Sequence, residues 1–204
     1  MPSRTYLNLS DEKKEKLMNA AKKEFSRVLL SDASINRIIK EADISRGSFY
    51  MYFESKEELY AYLLNEYRKS GLKILLESLN RNKGDIIKAY EDLYTVFLER
   101  CFEEKEMNFF RNMFQNANLY MENKTGLCVL KEEEEKELFC EIEKAIDSRK
   151  LSKVAKENIK DVLILLFDTT MKNIIPIILM DIKKEDAFRH FQTSLKLIKG
   201  GICK

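Results

Sequence analysis

The chain contains few residues that break helices, with 2 Pro and 6 Gly among 204 residues. Lys, Glu, Leu and Ile, by contrast, are abundant. Scarce helix breakers and many helix formers together predict an all-α protein. The length is sufficient for one sizeable core or two small ones. The apolar fraction of 45% is too high for a disordered chain.

The side chains that most enzymes use are also scarce. His190 is the single histidine, and the four cysteines form no Cys-x-x-Cys pair: Cys101, Cys128, Cys140 and Cys203. This spacing offers no metal site, and the residues show neither a Ser-His-Asp set nor a Gly-rich phosphate loop. We therefore expect that the protein is not an enzyme and that it binds neither a cofactor nor a metal. The thiols are expected to be reduced, as in a cytoplasmic protein.

The sequence has no strong net charge and no evident secretion signal. The formal net charge is +2, so no strong overall field attracts a polyanion. The N-terminus lacks a continuous apolar segment of the kind found in signal peptides. The most apolar stretch, residues 161–182, is interrupted near its middle by Asp168 and Lys172. Charges there are costly in lipid, so we expect a helix buried in a protein interface and no membrane partner.

Apolar residues recur at helical spacing along most of the chain. The pattern predicts helices over 10–27, 34–43, 46–52 and from the Ser55-x-x-Glu58 capping box to about residue 79. Ser10, Ser34 and Ser45 are the predicted N-caps of the first three helices. Longer helices are predicted near 85–104, 106–122, 131–149, 152–181 and 184–199, with turns at 80–85 and 122–127. Pro176 is expected to kink the fourth of these. The second and third short helices, joined by a tight turn, form a predicted helix-turn-helix.

Two segments carry a family likeness. KLMNAAKKEF, followed by SINRIIKEADISRGSFYMYFESKEELY, resembles the DNA-binding domain of the TetR family of bacterial transcriptional regulators over residues 13–60. The resemblance implies a helix-turn-helix domain at 1–54 and a helical ligand-binding and dimerisation domain at 55–204. It implies a homodimer, joined through its two C-terminal helices, that binds a near-palindromic DNA operator. It also implies a repressor that an effector releases.

The start of the third helix suits entry into the major groove of DNA. Ser45, Gly47 and Ser48 are small, so this helix end can approach base edges closely. Arg46 can bind guanine with two hydrogen bonds or simply neutralise a phosphate, and both readings stay open. By the resemblance, the remaining DNA-contacting positions are Asn36, Arg37, Tyr50, Met51, Tyr52 and Lys56. Tyr50 as a surface ring and Lys56 as a solvated charge are the alternatives.

Phe49 and Phe53 are expected in the domain core. Asp43 stands where the family usually has Gly, at a position that approaches the left-handed conformation. The Thr that often precedes the second helix is also absent, and we expect Ser34 to cap that helix instead.

The charges of the N-terminal region are unevenly distributed. Residues 1–40 contain nine Lys or Arg and five Asp or Glu, whereas residues 41–67 contain two Lys or Arg and six Asp or Glu. Non-specific attraction to DNA should therefore be modest.

The C-terminal helices present wide apolar faces that can pair with a second copy. The predicted interface residues are Val162, Leu165, Leu166, Ile174, Ile178, Leu179, Phe188, Phe191, Leu195 and Ile198. Candidate ligand-binding residues for an apolar or aromatic effector are Tyr90, Tyr94, Phe97, Phe110, Phe114, Phe139, Phe167, Asp168 and Met171. Asp168, inside an apolar run, can bind a cationic ligand, cap a kink or lie at the dimer interface, and as a buried carboxylate it would need a partner. Control by a protein partner, or by oxidation of Cys101 or Cys140, remains the alternative to a small ligand.

Overall fold

A computed structural model describes residues 2–121, 133–180 and 182–203. Within these residues the chain is all-α, as predicted, and it contains no β-strand. The helices are α1 (Arg4–Leu7), α2 (Asp11–Arg27), α3 (Ile35–Ala42), α4 (Arg46–Tyr52), α5 (Lys56–Arg81), α6 (Ile86–Cys101), α7 (Glu104–Met121), α8 (Glu133–Ala145), α9 (Lys153–Glu157), α10 (Ile159–Met180) and α11 (Lys184–Ile202). The turn predicted at 122–127 lies outside the described residues.

Helix boundaries agree with the sequence patterns for most elements and differ in three places. The helix predicted over 152–181 is two helices, because Asn158 leaves the helical conformation and its side-chain amide donates to the carbonyl of Val154 at 2.8 Å. Helix α8 ends at Ala145, four residues before the predicted end, and Asp147 caps a short 3-10 turn at Ser148–Lys150. Helix α10 runs on through Pro176.

Helix α1 is the third difference, since the patterns predicted no helix before Ser10. The Ser3 side chain caps it by accepting a hydrogen bond from the backbone N–H of Tyr6. Tyr6 is buried, and its ring lies 4.8 Å from Phe53 and 5.3 Å from Tyr62, measured between centroids. One turn of helix is too short to show an apolar period, which is why the sequence pattern missed it.

The described chain divides into two compact units. The first joins the segment up to Arg68 with helix α7; the second joins Lys69–Phe102 with helices α8 to α11. The predicted division after residue 54 stays a prediction. In the first unit, Leu17, Ala21 and Phe25 of α2 are buried, and α7 packs along this helix. Asn112 of α7 donates to the carbonyls of Phe25 and Ser26 at 2.9 and 3.1 Å, which satisfies the end of α2.

The second unit is built on α6, α10 and α11, which pack against one another. Tyr94 of α6 stacks on Phe191 of α11 with ring centroids 3.8 Å apart, and Tyr90 donates to the carbonyl of Leu163 in α10 at 3.1 Å. By length and composition alone α10 could cross a membrane, and 39% of its most apolar window is buried within the chain. Its packing against α6 and α11 is that of a core helix.

Two of the predicted serine caps are not formed. Ser10 and Ser34 occupy N-cap positions, but neither side chain bonds to its helix. Ser34 is held by its backbone instead, since its N–H donates to Glu24 at 2.9 Å. Glu24 is only 5% exposed and also accepts two hydrogen bonds from Arg27, at 2.9 and 2.7 Å. Glu24 therefore fixes the start of α3 from α2.

Glu24→Gln should destabilise the protein in a pH-dependent way. The hydrogen bond from Arg27, with that from Ser34, holds the pKa of the Glu24 carboxyl below its usual range despite burial. A lowered folded-state pKa means that this stabilisation is complete above the ordinary carboxyl pKa and is lost as the pH falls through the folded value. We expect a loss of about 1–3 kcal/mol at pH 7. Urea unfolding should show a much smaller difference at pH 3; an equal difference at both pH values would contradict this role.

Candidate nucleic-acid interface

Helices α3 and α4 form the predicted helix-turn-helix pair. Ile38 and Ala42 bury one face of α3. Asp43 ends this helix in the left-handed conformation, with φ 56° and ψ 48°, as predicted from the usual glycine at this position. The N–H of Ile44 donates to the carbonyl of Ile39 at 3.0 Å, and the Asp43 carboxylate lies 3.3 Å from the ammonium of Lys16. The turn therefore keeps its geometry without a glycine.

Helix α4 is anchored on one side and open on the other. Ser45 caps it, as predicted, by accepting the N–H of Ser48 at 3.0 Å. Phe49 is 0% exposed and Phe53 is 1% exposed, which confirms their prediction as core residues. On the opposite side Tyr50 and Met51 are 46% and 56% exposed. This side of α4 therefore leaves an aromatic ring and a thioether accessible to a partner.

Space is left at the N-terminal end of α4. A Cβ built on Gly47 would meet only the Ser45 Oγ, at an ordinary 3.7 Å. Beside it, an open cleft of about 260 Å³ is lined by Ala33, Ser34, Ile35, Asn36, Arg46 and Lys56. Three of these six lining residues are predicted DNA contacts: Asn36, Arg46 and Lys56. The helix end is therefore accessible, and the cleft beside it contains two cationic side chains.

Arg46 connects the two helices. Its Nη1 donates to the Oδ1 of Asn36 at 2.9 Å, and its Nη2 lies 3.4 Å from the hydroxyl oxygen of Tyr50. The guanidinium also lies 5.6 Å from the centroid of the Tyr50 ring. Asn36, Arg46 and Tyr50 are all exposed. The sequence singled out these three residues one by one but did not indicate that they meet.

The Lys56 ammonium contacts the protein itself. It donates to the carbonyl of Ser31 at 2.7 Å and to that of Ala33 at 3.1 Å, which ties the start of α5 to the turn before α3. The side chain is half-buried, so it is not simply a solvated charge. An ammonium has three donors, and a DNA contact by the third stays a prediction.

The N-terminus also holds the far end of α4. The Ser3 hydroxyl donates to the carbonyl of Met51 at 2.5 Å, and the Ser3 N–H donates to that of Tyr52 at 3.0 Å. Tyr52 is half-buried, with its ring centroid 6.2 Å from that of Tyr6. Sequence reasoning missed this contribution of Ser3, although a serine three residues before an aromatic residue is a weak cap signal.

The nine candidate ligand residues are divided between the two compact units. Phe110 and Phe114 are buried in the first compact unit, whereas the other seven belong to the second. Tyr90 and Tyr94 are buried, and Phe97, Phe139 and Met171 are half-buried. Phe167 and Asp168 are exposed, so Asp168 is not a buried carboxylate of this chain. A cavity of about 230 Å³ in the second unit is lined by other residues: Gly84, Asp85, Ile86, Lys150, Leu151, Lys199 and Cys203.

Two models of protein families match this chain. Residues 17–63 match the model of the tetR family of bacterial regulatory proteins, and residues 85–202 match that of the tetracyclin repressor-like C-terminal domain. Two uncharacterised HTH-type transcriptional regulators of Bacillus subtilis are similar. YdgC is 34% identical over half of this chain and YuxN is 35% identical over 47% of it. The match covers 55% of the length of YdgC and 32% of that of YuxN.

Solved structures share the fold at low identity. A Mesorhizobium loti protein assigned to the TetR family superposes with a TM-score of 0.63 at 12% identity, over 95% of this chain and 98% of its own. A TetR family transcriptional regulator from Pseudomonas syringae gives a TM-score of 0.58 at 19% identity, over 96% of this chain and 99% of its own. The two family models together span most of the sequence, including the helix-turn-helix described above. The chain therefore belongs to the TetR family of bacterial regulatory proteins.

Proposed function

We propose that the protein is a DNA-binding transcriptional regulator that works as a repressor. The observation that carries this proposal is the open N-terminal end of α4, where small residues adjoin the exposed Tyr50 and Met51. A helix with this surface fits the major groove, with its first turn toward the base edges. Family membership and the HTH-type relatives support the same function.

The residues of the two helices take different roles in this proposal. Ser45, Gly47 and Ser48 allow close approach, and the exposed Met51 is placed to meet a thymine methyl group. Arg37 is exposed on α3 and neutralises a phosphate. Tyr50 and Tyr52 reach the DNA backbone with their hydroxyls. The experiment is a gel shift with DNA that flanks the protein's own gene; no specific shift would refute the proposal.

The proposed regulator is a homodimer that reads a near-palindromic operator. Five large apolar side chains of α10 are exposed: Ile164, Leu165, Phe167, Leu179 and Met180. Covering them with a second copy would remove them from water, and a twofold axis would present two copies of α4 to the DNA. Half-sites would then lie one helical turn, about 34 Å, apart or a multiple of it.

Burial within the chain supports a different set of interface residues for the proposed dimer. Six of the ten predicted interface residues are buried in the chain's own core: Val162, Leu166, Ile174, Ile178, Phe191 and Leu195. They cannot also contact a second copy. Leu165 and Leu179, in contrast, are exposed, as is Asp168 between them. We therefore assign the interface to this outward side of α10, together with α11, whose Leu197 is 77% exposed.

A small apolar or aromatic effector is proposed to release the repressor from DNA. What supports an effector site in the second unit is the hydroxyl of Tyr94, a residue that is 0% exposed. Among the residues that the structure describes, this is the one buried side-chain oxygen or nitrogen without a hydrogen-bond partner. Burial raises the pKa of Tyr94, so the hydroxyl remains a protonated donor. An aromatic effector with a hydrogen-bond acceptor would satisfy it.

Tyr94→Phe should stabilise the effector-free protein, whereas Tyr90→Phe should destabilise it. Both changes keep the ring, but the first removes an unsatisfied buried hydroxyl and the second removes the bond to Leu163. We expect shifts of about 1 kcal/mol in opposite directions. Urea unfolding of the two variants measures them, each serving as the control for the other. A loss of stability in Tyr94→Phe would show that its hydroxyl already has a partner.

Oxidation of Cys101 is not favoured as the signal. The residue is 1% exposed, and burial raises the pKa of its thiol to about 12. A thiol that stays protonated at neutral pH is a poor nucleophile and a poor redox sensor. Cys140 is exposed, and it is the remaining candidate for this mode of control. Operator affinity that is unchanged by peroxide and diamide would exclude it.

A further inference from the structure

The three-residue cluster of Asn36, Arg46 and Tyr50 determines which hydrogen-bonding groups face outward at the start of α4. Arg46 lies between the other two, 2.9 Å from Asn36 Oδ1 and 3.4 Å from the Tyr50 hydroxyl. All three side chains are exposed and lie on the two helices of the helix-turn-helix. They border or adjoin the open cleft described above.

The polarity of this cluster follows from the chemistry of arginine. A guanidinium has five N–H donors and no acceptor, so the atom of Asn36 that faces it is the carbonyl oxygen. The amide NH₂ of Asn36 therefore points away from Arg46. The Tyr50 oxygen also accepts from Arg46, which leaves its own hydrogen free to point elsewhere. All three side chains therefore present a donor to an external partner, and the guanidinium of Arg46 presents donors alone.

Only one base offers two adjacent acceptors in the major groove. Guanine presents N7 and O6, whereas adenine presents the N7 acceptor beside the N6 donor, and cytosine presents a donor. An unconstrained asparagine reads adenine by donating and accepting at once. Asn36 keeps one lone pair while its oxygen accepts from Arg46, but the guanidinium beside it offers only donors. The guanidinium of Arg46 is therefore matched to guanine and mismatched to adenine.

We propose that the Asn36–Arg46–Tyr50 cluster is a base-specific reader that requires a G·C pair at one fixed position of each operator half-site. This inference rests on the proposed DNA-binding function. In it, Arg46 donates to guanine, and Asn36 and Tyr50 position the guanidinium by accepting hydrogen bonds from it. The cluster is a specificity determinant, in contrast to Arg37, which lies outside it and contacts phosphate.

The experiment is selection of bound sequences from a duplex library with a randomised core, using the full chain. The wild type should enrich an inverted repeat with guanine at one position per half-site. Replacing that guanine by adenine should weaken binding about 10- to 100-fold in an anisotropy titration. In Arg46→Ala the same replacement should change affinity less than about threefold, because the donors that discriminate guanine from adenine are gone.

Arg37→Ala is the matched control, since it also removes one exposed arginine from the same pair of helices. It should weaken all sequences equally and keep the guanine preference. Discrimination that is the same in wild type and Arg46→Ala would overturn the inference and reduce Arg46 to a phosphate contact. Enrichment of a repeat without any fixed guanine would overturn it as well. If no motif is enriched, the proposed DNA-binding function is refuted. This outcome differs from the two that overturn only the guanine preference.

Discussion

Gly47→Glu is expected to abolish operator binding while leaving the fold at least as stable as that of the wild type. The side chain has room, because the nearest atom to a Cβ at this position is the Ser45 Oγ at 3.7 Å. Gly47 is the second residue of α4, where a carboxylate suits the positive helix end by about 0.3–1 kcal/mol. Replacing a helical glycine adds a further gain of up to about 1 kcal/mol.

The same carboxylate would face the DNA phosphates at the closest point of approach. Like charges brought together across an interface cost several kcal/mol, so affinity should fall by about 100-fold or more. Thermal unfolding and anisotropy titration measure the two effects separately. Gly47→Ala is the matched control, because it adds the Cβ without the charge and should lose much less affinity. A Gly47→Glu protein that binds within threefold of the wild type would show that α4 enters no groove by this end.

Leu165→Glu is expected to convert the proposed dimer into monomers. Leu165 is 45% exposed on α10, between the exposed Ile164 and Phe167. A twofold interface would bury two such carboxylates, one from each copy, and each unpaired buried charge costs several kcal/mol. The dimer dissociation constant should therefore rise by more than about 1000-fold. Operator affinity should fall with it, because a monomer holds only one half-site.

Val154→Glu is the control for this variant. Val154 is 71% exposed on α9, so the substitution introduces the same charge at an apolar surface residue outside the proposed interface. Sedimentation velocity should find the control dimeric and Leu165→Glu monomeric at the same concentration. Helical circular dichroism should be equal for both. A Leu165→Glu protein that sediments as a dimer would place the interface elsewhere.

The helix-turn-helix could be predicted from the sequence because its signals are local. The apolar spacing of α2 and α3, and the small residues at the start of α4, each specify one element. The left-handed conformation of Asp43 was predicted from the family resemblance, because the family usually has Gly at this position. Ser45 and Ser34 looked alike as caps, yet only Ser45 bonds to its helix. The difference arises from Glu24, ten residues before Ser34, which the local pattern does not include.

The outward side of α10 could not be predicted for a different reason. This helix is apolar around most of its circumference, so its period does not separate the side that packs on α6 and α11 from the side that is exposed. Leu165 and Leu166 are adjacent and chemically equal, but one is 45% exposed and the other is fully buried. The contacts of Arg46 with Asn36 and Tyr50 could not be predicted either, because the contact with Asn36 depends on how α3 and α4 cross.

The packing of α7 on α2 limits how this protein can be divided or recombined. Helix α7 belongs to the first compact unit, although a long stretch of chain separates it from Arg68. Glu106 of α7 pairs with Lys22 and accepts a hydrogen bond from Tyr67 at 3.1 Å. The Phe109 ring stacks on the Tyr67 ring with centroids 4.9 Å apart. A fragment that stops at Arg68 would leave these partners without their complement. A hybrid regulator made by exchanging N-terminal segments would need to exchange α7 as well. The unit that can be exchanged in this chain is therefore not one continuous segment of the sequence.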